Sequence, residues 1–182
     1  MTDSDTVGLP MTDSIAQLPT NRPERNLAGP AGRPVELDAA DRAIIEALQL
    51  DGRRPYGAIA VDVGLSEAAV RRRVQRLRET GVMQIVAVTD PLQLGFQREA
   101  LVGIKVVGDV RQVVERIAAI EAVNYVVMTA GSFDIIAEVL AADDDALVHL
   151  LNDHIRSIPE VQTAETFLYL KLAKQTWNWG TR

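Results

Sequence analysis

Five arginines stand within eight positions of this chain: Arg71, Arg72, Arg73, Arg76 and Arg78, with Gln75 among them. Guanidinium groups bridge paired acceptors, either the oxygens of a phosphate or the edge of a guanine. On a helix turning about 100° per residue, Val70, Val74 and Leu77 fall within about 60° of one another and form an apolar stripe. Arg72, Gln75 and Arg76 lie opposite the stripe with Ala68 near them, and Arg71, Arg73 and Arg78 flank it. Ser66, Ala68 and Ala69, at the helix start, are small enough to let a backbone approach base edges. The DNA major groove admits one such helix, its N-terminal residues nearest the bases. The candidate DNA-contacting set is therefore Ser66, Ala68, Ala69, Arg71, Arg72, Gln75 and Arg76. An arginine-rich face is also what a solvated helix surface looks like, so the neighbouring elements must decide between the two.

Other residues with chemical potential point away from catalysis. Asp143-Asp144-Asp145 read as negative charge at the positive end of a helix, not as a metal site. The two histidines, His149 and His154, are five residues apart. On an α-helix they diverge by about 140° and cannot share a metal ion. His154 is expected on the apolar side beside Leu147 and Leu150, and His149 in solvent. The absence of cysteine removes disulfides, thiolate zinc sites and cysteine nucleophiles. No Gly-x-Ser-x-Gly, His-Glu-x-x-His or phosphate-loop pattern occurs. No catalytic residue, cofactor or metal site is expected.

The elements before the arginine helix form a pattern. Asp38 is an N-cap whose carboxylate takes up free amides of a first turn. Ile44, Ile45 and Leu48 follow on one face, and Asp51-Gly52 ends that helix. Pro55 opens a second helix, Tyr56 to Val63. Gly64-Leu65 makes a tight turn, Ser66 caps the third helix, and Gly81 stops it after about Thr80. Three helices with a turn before the last are how a helix-turn-helix presents its reading helix. Val82 to Val88 is β-rich and predicts a small hairpin or wing.

After Asp90-Pro91 the periodicity changes. Strands are predicted at 101–107, 123–128, 133–140 and 163–172. Helical spacing appears at Val110, Val113, Val114 and Ile117, and again at Leu147, Leu150, Leu151 and Ile155. The order βαββαβ predicts a ferredoxin-like sheet with both helices on one face. The first strand is apolar on nearly both faces, so the uncovered face must meet a partner; a second copy of the chain is the simplest. The fold class is α+β: a winged helix-turn-helix followed by a ferredoxin-like domain. The predicted boundaries are a tail at 1–35, a DNA-binding domain at 36–89, a linker at 90–100, a sheet domain that oligomerises through its uncovered face at 101–174 and a tail at 175–182.

Composition sets the outer limits. The 182 residues carry a net charge of −6, which argues against general nucleic-acid binding. Residues 36–89, however, hold eight basic and eight acidic groups, and five of those basic residues form the arginine helix. A local basic face on an acidic protein remains a polyanion site. No apolar run nears the ~18 residues of a membrane helix, and no signal peptide is visible, so a cytoplasmic location and no membrane partner are expected; the DNA-binding reading of the arginine helix adds a nucleoid-associated location. Residues 1–35 hold five of the eight prolines and read as a disordered tail. Within it Met1-Thr2-Asp3-Ser4 recurs as Met11-Thr12-Asp13-Ser14, which makes Met11 a candidate second start. Trp177 and Trp179 are candidate anchors on a neighbouring subunit.

The first half resembles a known family. Leu37-Asp38, Asp41, Ile44-Ile45, Leu48, Asp51-Gly52-Arg53, Ala60, Val63-Gly64-Leu65-Ser66, Val70, Arg73-Val74, Arg76-Leu77 and Gly81-Val82 are similar to the N-terminal signature of the leucine-responsive/asparagine regulators, Lrp/AsnC. The second half resembles their ligand-sensing domain, termed RAM. Thr129-Ala130-Gly131-Ser132-Phe133-Asp134 is similar to its Gly-x-x-Asp turn, and Ile158-Pro159-Glu160-Val161 precedes the last strand as in the family. The resemblance covers residues 36–174 and implies a transcription regulator that binds double-stranded DNA. It also implies a homodimer that assembles further, into tetramers or octamers, and a small-molecule effector, commonly an amino acid. Carried over, Gly131 and Asp134 lead the effector-site candidates, with Thr129 and Thr163 behind them. Asp134 suits an effector's ammonium group or a cap on its own turn, while Gly131 is expected to supply a special backbone conformation. The competing readings are a sirohaem-decarboxylase-like enzyme, for which His149 and His154 would be the only histidines available, and a DNA-independent sensing module.

Overall fold

A computed structural model describes residues 35–176 together with Gly180 and Thr181. They divide into two compact units, one running to Ile85 and one beginning at Val86. The tail with its near-repeat, and Trp177 and Trp179, lie outside the described residues.

The first unit is three helices: α1 (Ala39–Leu50), α2 (Tyr56–Val63) and α3 (Glu67–Glu79). Asp38 caps α1 reciprocally: its carboxylate accepts the Asp41 amide at 2.8 Å, and the Asp41 carboxylate accepts the Asp38 amide at 3.3 Å. Such a box satisfies two amides that the first turn leaves without partners. Ile44, Ala47 and Leu48 of α1 pack against Ile59 and Ala60 of α2 and Val70 and Val74 of α3. Gly64 ends α2 at φ 68°, in the left-handed region that glycine adopts without steric cost. Ser66 then caps α3, its hydroxyl oxygen accepting the Ala69 amide at 3.2 Å.

The wing is not formed. Residues 82–90 carry no strand, and Val82, Ile85, Val86 and Val88 are exposed. The residue types are those of a strand, but no turn folds the segment back onto itself. Instead Asp90 caps a short 3-10 turn, Pro91–Leu94, by accepting the Leu92 amide at 3.0 Å. A strand without a ladder partner has nothing to satisfy its backbone but water.

The second unit is a four-stranded antiparallel sheet in the order β2-β3-β1-β4, from β1 (Arg98–Val106), β2 (Val123–Met128), β3 (Ile135–Ala141) and β4 (Val161–Leu168). Helices α4 (Val110–Ala118) and α5 (Asp144–His149), the latter continued by a π-helical turn (Leu150–Ile155), complete the βαββαβ order. β1 starts three residues before the predicted strand, so the expected linker at 90–100 already contains sheet. β4 stops at Leu168, although the Tyr169 amide still reaches the Glu99 carbonyl at 2.9 Å. Ala100, Val102 and Ile104 join Ile135, Ala137 and Val139 in a core with Val113, Ile117, Leu150 and Ile155. The alternate residues Leu101, Gly103, Ile136, Glu138 and Phe167 fall on the opposite face by their register. Phe133 covers Gly103 there and meets Phe167 edge to face at 6.1 Å between centroids.

The π turn overturns the reading of the histidines. The Arg156 amide bonds the Leu151 carbonyl at 2.9 Å, an i to i−5 bond. Residues five apart become neighbours in such a turn. The His149 and His154 rings meet edge to face with centroids 5.1 Å apart. His154 is exposed like His149, not packed at the core boundary. Among the described residues, no group of three or more His, Cys, Asp or Glu is placed to hold a metal ion. Asp143 caps α5 by accepting the Ala146 amide at 2.8 Å, and Asp144 pairs with Arg98.

Candidate nucleic-acid interface

The α3 stripe of Val70, Val74 and Leu77 is fully buried, which turns the opposite face outward. Ser66, Ala68, Arg71, Arg72 and Gln75 are exposed, and Ala69 is half-buried. Arg71 bonds Glu67 at 2.9 Å and lies 5.4 Å from the Tyr56 ring centroid. Gln75 donates to Glu79 at 2.8 Å. These partners lie on the surface, where pairs are weak and exchangeable. The Arg72 guanidinium has no hydrogen-bond or ion-pair partner among the described residues, so its five donors are open to a ligand.

Arg76 behaves differently from the expectation that it faces solvent freely. Its guanidinium donates to the Asp41 carboxylate at 2.6 Å. Arg73 donates to the other Asp41 oxygen at 2.8 Å and to Asp38 at 2.7 Å. Asp41 is only 1% exposed. Burial pushes its carboxyl group up, but hydrogen bonds from Arg76, Arg73 and the Asp38 amide outweigh this and hold it below the usual carboxylate value. Asp41 and then Asp38 raise Arg73 in turn. The first turn of α1 is thus tied to the middle of α3 by charge-assisted bonds. Asp41 was not among the candidate residues. The signal was present: with Ile44, Ile45 and Leu48 it occupies positions i, i+3, i+4 and i+7, so a carboxylate stands on the apolar stripe.

The effector candidates gather at one end of the sheet. Asp134 accepts the Val106 amide at 2.9 Å and stands 3.5 Å from the Lys105 ammonium, which also reaches the Gly131 carbonyl at 3.4 Å. The Val106 amide, against some burial and aided by Lys105, lowers the Asp134 carboxyl. Thr129 donates its hydroxyl to the Phe133 carbonyl at 2.6 Å and its amide to the Asp134 carbonyl at 2.8 Å. Thr163 sits opposite Lys105 in the β1–β4 ladder. Gly131 does not have a positive φ, and a Cβ there would meet nothing within 4 Å. The bonds made by Thr129 close the turn, so the special backbone conformation expected of Gly131 is not needed. Lys105 was missed, although a lone cation in the apolar run Leu101 to Val107 marks it.

A profile of the AsnC-type helix-turn-helix domain matches residues 37–78. One of a C-terminal dimeric alpha+beta barrel domain matches residues 96–182. The HTH-type transcriptional regulator FL11 of Pyrococcus abyssi is 35% identical over 144 residues, covering 78% of this chain and 95% of that protein. Regulatory protein AsnC of Escherichia coli K12 is 29% identical over 138 residues, covering 74% and 91% respectively. The solved structure of E. coli AsnC matches with a TM-score of 0.70 at 27% identity, over 78% of this chain and 97% of that one. A Neisseria meningitidis transcriptional regulator solved in complex with L-Met matches with a TM-score of 0.69 at 25% identity, over 78% and 94%. A helix-turn-helix with an exposed arginine face, a sheet open on one side and these similarities together place the chain in the Lrp/AsnC family of DNA-binding transcriptional regulators.

Proposed function

We propose that the chain reads operator DNA with the N-terminal half of α3, through Ser66, Ala68, Ala69, Arg71, Arg72 and Gln75. Arg76 contributes from its Asp41-anchored position, which leaves 44% of its side chain exposed. The observation that carries this reading is the unpartnered Arg72 side chain, one turn after Ala68 and Ala69, on the face opposite a fully buried stripe. We place the DNA-binding part at 36–89 and begin the sensing part at β1, ahead of the predicted 101. The regulator works where the DNA is, in the cytoplasm.

The sheet end at Lys105, Gly131 and Asp134 is the effector site in this reading. Its adjacent ammonium and carboxylate complement the two charged ends of an amino acid, in keeping with the L-Met complex of the Neisseria regulator. The open sheet face carries Leu101, Ile136 and Phe167, with Phe167 and Tyr125 about half exposed. A second copy covering it makes the homodimer, on which larger assemblies build. Two recognition helices then meet half-sites ~34–36 Å apart. Footprinting on fragments selected from genomic DNA tests this. It should reveal imperfect palindromes with that spacing; protection at a single isolated half-site contradicts the dimeric reading.

A further inference from the structure

An open cleft of about 900 Å³ runs between the start of α1 and the outer side of α3. Four arginines line it: Arg42 from α1 and Arg72, Arg73 and Arg76 from α3. Arg73 and Arg76 are occupied by Asp41. The guanidinium groups of Arg42 and Arg72, one on each wall, have no hydrogen-bond or ion-pair partner among the described residues. Asp41 is saturated by its two arginines and the Asp38 amide. Glu36, the remaining carboxylate at the cleft, makes no side-chain bond among the described residues and is exposed to water at the chain's approach to α1.

We infer that Arg42 is a DNA-backbone contact, gripping a phosphodiester of the duplex jointly with Arg72 across this cleft. The inference rests on the reading of α3 as the recognition helix and extends the interface onto α1. A helix seated in the major groove brings the phosphates of the flanking strand against the element beside it. That element here is the first turn of α1, and Arg42 is its cation without a counter-charge. A contact of this kind positions the protein and carries no base information, so it must strengthen all duplexes alike. The two arginines held by Asp41 stay out of this role.

The test is anisotropy titration of the full chain on operator and on unrelated duplex, over a range of KCl concentrations. Arg42→Ala should weaken both duplexes several-fold and to the same degree. It should flatten the log–log salt slope by about 0.9 for each protomer's lost phosphate, about 1.8 for a dimer engaged at both half-sites. Arg42→Lys should recover the slope. Arg111→Ala removes the same charge from a side chain already paired with Asp109 and should change neither quantity. An unchanged affinity and slope in Arg42→Ala overturns the proposal, as does a loss confined to the operator. A thermal shift with millimolar inorganic phosphate at fixed ionic strength, abolished by Arg42→Ala, assigns the cleft to a free anion and also overturns it. Wild-type chain that binds neither duplex counts against the recognition helix itself, an outcome separate from failure of the clamp.

Discussion

At the scale of single residues, Asp41 has the most demanding environment. A buried carboxylate persists only when its desolvation is offset by partners, and here two guanidiniums and an amide supply them. Asp41→Asn should cost the helical unit about 1–3 kcal/mol, because two half-exposed arginines lose a charged acceptor. The folded carboxyl lies below its ordinary value, so its contribution is present above an unfolded-state value of about 3.9 and lost as pH falls through the lowered folded value. The stability gap between wild type and Asp41→Asn, measured by urea titration, should therefore be steady near neutrality and narrow below about pH 4. A gap as large at pH 3 as at pH 7 would contradict the role assigned to the ionised group. Residue types showed where cations cluster, but not which of them an acid would claim. Arg73 and Arg76 meet Asp41 from 32 and 35 residues away, a pairing that only the packing of α1 on α3 creates.

At the scale of elements, legibility follows local punctuation. α2 spans Tyr56–Val63 as predicted because Pro55 and Gly64 bound it. α3 likewise begins after Ser66 and stops before Gly81, at φ 71°. The wing at 82–88 misled because β-rich residue types favour extended backbone, while a strand also needs a partner. The π turn carries no sequence mark, since its five-residue bonding is selected by how Leu150, Leu151 and Ile155 reach the core. Within the sheet, Gly103 allows the Phe133 ring to lie on β1: a Cβ there would stand 2.6 Å from the ring. Gly103→Ala should destabilise the sheet unit by about 1–3 kcal/mol through overpacking. Adding Phe133→Ala should remove most of that penalty, a non-additivity read from thermal unfolding of the single and double variants. Strictly additive effects would show that Phe133 is not what excludes a side chain at Gly103.

At the scale of the whole molecule, the sheet domain is one-sided. Its helices cover the face built on Ala100, Val102 and Ile104, and the other face leaves Phe167 and Tyr125 about half exposed. That asymmetry was legible from the doubly apolar first strand together with the count of helices. Less legible was the polar inlay on the same face. Tyr169 donates to Glu138 at 2.9 Å, and burial, then that bond, push its phenol up to about 12. Phe167→Glu should give a folded monomer in sedimentation equilibrium, with unchanged circular dichroism and weakened operator binding, because a new carboxylate on a surface that must desolvate is costly. A dimer that survives this substitution would move the interface elsewhere.

The central claim is that the outer face of α3 binds DNA under the control of a small molecule. The most direct measurement is fluorescence anisotropy with a labelled fragment from upstream of the chain's own gene, comparing wild type with Arg72→Ala at several salt concentrations, with and without a pool of amino acids. The account predicts sub-micromolar, salt-steep binding by wild type, a shift in affinity on adding the pool, and a flatter slope and weaker binding for an Arg72→Ala variant that remains dimeric. Equal binding by the two proteins, or wild-type binding indifferent to salt, would contradict it.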